Sequence, residues 1–131
     1  MSSQPPSISL LDSIALIDSS HAGTIVVTGS HGGRSAAGFV VDVSKKPLAV
    51  FFNDAGGGKD DAGKVGLGML QAIGVPAACY SHMSARIGDA QDGLENGILT
   101  DMNDFARLAG MKEDLQVSEA IRCVKKSEHP D

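Results

Sequence analysis

Four short apolar runs, each ending abruptly in glycine or polar residues, constrain this chain more than any other feature. Residues 25–28 run into Gly29, residues 48–52 into Asn53 and Asp54, residues 76–80 into Ser81 and His82, and residues 97–100 into Asp101. The runs are near-continuously apolar instead of alternating, which is the pattern of strands covered on both faces in a parallel sheet. They predict strands near residues 24–29, 47–53, 76–81 and 97–101.

Helical spacing fills the gaps. Residues 61–73 place Val65, Met69, Leu70 and Ile73 on one stripe and stop at Gly74. Residues 36–43, 104–109 and 115–124 carry similar stripes, and residues 10–17 fit either a helix or a strand. Strands alternating with helices predict an α/β fold, a three-layer αβα sandwich around a mostly parallel sheet of four to five strands, Rossmann- or flavodoxin-like. No repeat or linker interrupts the pattern. The expectation is one domain over residues 7–124, with a disordered N-terminus at 1–6 and a frayed tail at 125–131.

Composition narrows the function classes. The net charge of −5 and an aromatic content of 4% without tryptophan argue against a nucleic-acid surface, which needs a basic excess or stacking platforms. The apolar stretch at residues 8–17 is broken by Asp12 and is too short for a membrane span or signal peptide. Cys79 and Cys123 form no disulfide framework. A soluble cytoplasmic protein with reduced thiols is expected.

The polar residues concentrate where an open parallel sheet places its ligand crevice, outside the carboxyl ends of the strands. After the first run come Gly29, Ser30, His31, Gly32, Gly33 and Arg34. After the second come Asn53, Asp54, Gly57, Lys59 and Asp60. After the third come Ser81, His82, Ser84, Arg86 and Asp89. Connections on the opposite side, such as residues 44–46 and 74–75, are short and plain. Glycines let backbone N–H groups approach a ligand, and a helix start adds a positive field. His31 and His82 are the acid/base candidates, with Asp54 or Asp89 to orient them, and Arg34, Lys59 and Arg86 supply positive charge for an anion.

Each cluster also has a plainer reading. Gly32 and Gly33 make a tight strand-to-helix turn, Asp60 or Asp61 caps a helix, Ser84 caps a short helix and Arg86 pairs with Asp89. The second cluster lacks the Walker pattern, because Asp60 follows Lys59 and Asn53 stands at the first glycine position. Ser30 lies outside a nucleophile elbow. The histidines and carboxylates show no metal-ligand spacing, so no metal is expected.

Two functional expectations follow. One is a small enzyme using His/Asp acid–base chemistry on a small anionic metabolite, a carboxylate or a phosphate. The other is a non-catalytic module holding a nucleotide or metabolite. Neither specifies a cofactor. Gly63, Gly66 and Gly68 in the helix at 61–73 call for a close approach that offsets their helix-weakening effect, and a glycine face of this kind favours a homo-oligomer.

Overall fold

The structure is a computed structural model that describes residues 7–54 and 65–128, with side chains through residue 125. Five strands form one sheet: β1 (Ile8–Leu11), β2 (Ile25–His31), β3 (Ala49–Asn53), β4 (Ala77–Tyr80) and β5 (Leu99–Met102). Their order is β1-β2-β3-β4-β5, with the first three pairings parallel and β4–β5 antiparallel. The helices are α1 (Arg34–Asp42), α2 (Val65–Ala72), α3 (Ala90–Asn96), α4 (Asp104–Leu108) and α5 (Val117–Glu128).

Period-2 alternation in the central strands divides the core in two. Ile25, Val27, Ala49, Phe51, Ala78 and Tyr80 face one way, against Val117, Ile121 and Val124 of α5. Val26, Val50, Phe52, Ala77 and Cys79 face the other, against α1 through Ala36, Ala37 and Val40 and α2 through Leu67 and Leu70. Burial on both faces is why these strands read as unbroken apolar runs. The protein is thus a three-layer α/β fold. No helix among the described residues is long and apolar enough to cross a membrane.

Four features depart from, or sharpen, the sequence expectation. Residues 10–17, open between helix and strand, divide: β1 ends at Leu11, and a single 3-10 turn (Ile14–Leu16) plants Ile14 in the second core. β5 runs antiparallel, so its start, not its end at Asp101, lies beside the carboxyl ends of the other strands. α3 carries no apolar stripe and escaped the periodicity; it is set by its Asp89 cap, whose side chain accepts the Asp92 N–H, and by buried Ala90 and Gly93. α5 continues four residues past Val124, to Glu128. The serial strand order also has no reversal, so the rim site does not sit at a topological switch point. The expected disorder of residues 1–6 and fraying of 129–131 lie outside the described residues.

Buried Asn103 joins three elements. Its Oδ1 accepts the Ala77 N–H (3.1 Å) and the Ala106 N–H (3.0 Å), and its Nδ2 donates to Leu67 O (3.3 Å) and Val75 O (2.9 Å). Asn103→Ala removes all four bonds and leaves the Ala77 and Ala106 N–H groups without their partner, and is expected to cost about 2–4 kcal/mol in urea unfolding, above an ordinary cap loss, since each buried unsatisfied group costs ~1–3 kcal/mol.

The glycines of α2 have different roles. A Cβ on Gly66 would meet Gly32 O at 2.6 Å and Ala37 Cβ at 2.9 Å, and the Gly66 N–H donates to Gly32 O at 2.7 Å. Gly68 has nothing within 4 Å, and Gly63 lies outside the described residues. The close approach is therefore internal at Gly66, and of the two described α2 glycines Gly68 is the one with open space around it. Gly68→Ala is expected to raise stability by about 0.5–1 kcal/mol, the ordinary helix gain, while Gly66→Ala lowers it; equal shifts in the two denaturation midpoints would contradict this packing.

Candidate functional site

The carboxyl edge of the sheet is built around an irregularity in β2. Val27 pairs with Phe51, but the next partner pair is His31 with Asn53, so Thr28, Gly29 and Ser30 bulge opposite Phe52 alone. The bulge presses Gly29 onto the loop at residues 81–89: Gly88 N–H donates to Gly29 O at 2.7 Å, and a Cβ on Gly29 would overlap the backbone of Gly88 and Asp89. Gly88 sits at φ +82°, where glycine is favoured.

Further bonds fix the same loop. Buried Asn53 donates from Nδ2 to Ala85 O at 3.1 Å. The Ser84 hydroxyl donates to Ser81 O (2.7 Å) and accepts the Ile98 N–H (3.0 Å), and Ser81 Oγ accepts the Met83 N–H (3.0 Å). The Tyr80 hydroxyl donates to Thr28 O at 2.7 Å, and burial raises its pKa above the ordinary phenol value. Ser81 and Ser84, expected to touch a ligand, thus brace the turn, and Ser84 does not cap a helix.

At the end of β3 and the start of this loop stands a carboxylate–imidazole pair. Asp54 Oδ1 accepts the His82 N–H at 3.0 Å and lies 3.2 Å from His82 Nδ1, while Thr100 Oγ1 donates to Asp54 Oδ2 at 3.0 Å. The Asp54 side chain is 11% exposed and that of His82 49%. A carboxylate that accepts from both the backbone and the ring fixes Nδ1 as the protonated nitrogen. Nε2 then has no hydrogen-bond partner among the described residues and stands as an acceptor.

The remaining sequence candidates distribute around this pair. His31 is exposed one strand away, as the register partner of Asn53. Gly32 is buried; its N–H donates to Asn53 O at 3.1 Å, while Gly33 opens α1 without a side-chain cap. Ser30 Oγ accepts the Ile14 N–H at 3.0 Å. Arg34 is exposed on the first turn of α1. Asp89 caps α3 and is not brought to either histidine, and the expected Arg86–Asp89 pairing gives way to a bond from the Arg86 N–H to Asp92 Oδ2 at 2.8 Å. Gly57, Lys59 and Asp60 lie outside the described residues. No group of three or more metal-ligating side chains occurs among the described residues.

Two contributors were absent from the sequence reading. Thr100 reaches Asp54 only because β5 is antiparallel, a direction that no residue pattern specified. Asp12 Oδ1 accepts the Ala90 N–H at 3.0 Å across 78 residues of chain. The interruption of an apolar stretch by Asp12 was the one visible trace of it. Compared with protein families, curated proteins and solved structures, the chain gives no match.

The Asp92 carboxyl is held below the ordinary value of 3.8 by the Arg86 N–H, then by the Asn96 amide. A lowered folded-state pKa means that the stabilisation is full above the unfolded value and disappears as pH falls through the folded one. The melting temperature of Asp92→Asn is therefore expected to lie below that of the parent at pH 7 and to converge on it as pH drops below ~4. A gap that widens on acidification would contradict the assignment.

Proposed function

We propose that the protein is an acid–base enzyme acting on a small anionic metabolite, a carboxylate or a phosphate, with His82 as the group that moves the proton. The observation that carries this reading is the Asp54–His82 pair with Nε2 turned away from its carboxylate partner. In the resting state the Nδ1–H donates to Asp54 Oδ1, and Nε2 accepts a proton from the substrate. The imidazolium so formed is stabilised by the adjacent carboxylate, which Thr100 and the His82 N–H hold in place. The same Nε2 then returns the proton to the leaving or rearranged group.

Substrate charge would be met by the exposed guanidinium of Arg34, which makes no ion pair among the described residues, and by that of Arg86, whose charge also acts on the Asp92 carboxylate. Lys59, five residues beyond Asp54 in sequence, is the third candidate contact.

The test is a turnover screen of phosphate monoesters, hydroxy acids and other organic acids, with His82→Ala and Asp54→Asn as partners to the parent protein. Loss of general acid–base catalysis is expected to lower the rate about 10²–10⁴-fold in His82→Ala, with binding of the same compound retained. Undiminished turnover in His82→Ala would overturn the proposal. Binding without any turnover in the parent protein would favour the non-catalytic module.

A further inference from the structure

A groove of about 320 Å³ opens at the carboxyl ends of β1 and β2, beside the Asp54–His82 pair and separate from it. Its apolar walls come from two elements: Ala36 and Phe39 of α1, which share a helix face, and Ile87 of the loop, with Ile14 at the base. Phe39 and Ile87 are 43% and 56% exposed, and unlike the scattered exposed residues elsewhere they line one groove together. Apolar surface in such a groove is the common lining of a small-molecule site.

The polar groups of the groove have a definite character. Ser30 Oγ accepts the Ile14 N–H, which leaves its own hydrogen to donate. Asp12 Oδ1 is bonded to the Ala90 N–H, and its second oxygen has no hydrogen-bond partner among the described residues. His31 completes the rim. None of the described lining side chains is a lysine or arginine. A groove with one carboxylate and no fixed cation disfavours an anion at this point and favours N–H donors. Apolar walls that include an aromatic ring favour a planar partner.

We propose that this groove binds an uncharged planar nitrogen heterocycle, of the size and hydrogen-bonding character of a nucleoside, with its ring against Phe39 and Ile87 and its N–H edge toward Asp12. The volume lies at the small end of ligand pockets, which suits a compound of that size. The site does not depend on the acid–base reading, because none of these contacts involves Asp54 or His82.

The experiment is titration of the full chain with adenosine, guanosine, cytidine and uridine, followed by calorimetry and by amide shifts in two-dimensional NMR. Succinate and inorganic phosphate serve as comparison probes. The expected result is saturable one-to-one binding of at least one nucleoside, with shifts centred on residues 12–14, 30–39 and 87–88. Phe39→Ala and Asp12→Asn are each expected to weaken it about tenfold or more. Asn at position 12 still accepts the Ala90 N–H, and Phe39 is half-exposed, so both variants should keep the fold; Ile87→Ala is a second wall variant, and thermal melts verify all three. His82→Ala is expected to bind as the parent does. The proposal is overturned if no nucleoside binds at millimolar concentration, if binding survives Phe39→Ala and Asp12→Asn unchanged, or if succinate or phosphate competes for the same shifts.

Discussion

The rim of this protein depends on one backbone-to-backbone contact, that of Gly29 with Gly88. A bulge in β2 brings the strand end against a loop that starts two strands away, and only the absence of side chains on Gly29 permits the 2.7 Å bond from the Gly88 N–H. From there the chain enters α3, while upstream it carries Ala85 onto Asn53 and His82 onto Asp54. One contact thus lies between two parts of the rim with different chemistry. On one side an imidazole is oriented by a carboxylate; on the other, apolar walls meet a carboxylate edge.

The polar groups of this edge form a connected system in which each buried member is satisfied. Tyr80 bonds to Thr28 O, Asn53 to Ala85 O, and Thr100 and His82 to Asp54. Rigid support of this type lets a half-exposed histidine keep one tautomer, because its partner has no room to turn. The glycines serve the same end. Gly66 lets α2 approach the Gly32–Gly33 turn, and Gly93 lies against the Tyr80 ring, which a Cβ there would strike at 2.7 Å.

Much of the sheet could be read from residues 25–28, 48–52 and 76–80, because burial on both faces left runs that no other arrangement explains well. The shared edge of His31, Asp54 and His82 was legible for the same reason: once three strands are parallel, the residues after them must lie together. The direction of β5 was not legible, since Leu99 and Met102 would be buried in either orientation, and Thr100 was missed with it. α3 was hidden because its length holds only one large apolar residue, Leu94, and its stability rests on a cap and on neighbours. The bracing roles of Ser81 and Ser84 and the capping role of Asp89 were not legible for a local reason. Hydroxyls and carboxylates that serve turns and caps have the same composition as those that serve ligands.

The serial strand order bears on how the molecule assembles. Paired strands are separated by only about two dozen residues of chain, so each pairing closes a short loop and can follow the one before it. The bond from Asp12 to Ala90 spans 78 residues and carries a loop-closure entropy about 1 kcal/mol larger. The intervening strands hold its two ends together. The groove is therefore complete only once the segment after β4 lies over the N-terminal strand. A chain that ends before this segment would contain most of the sheet but would lack the Ile87 wall of the groove and the Asp12–Ala90 bond, so the groove's shape reports that residues 81–90 have folded back.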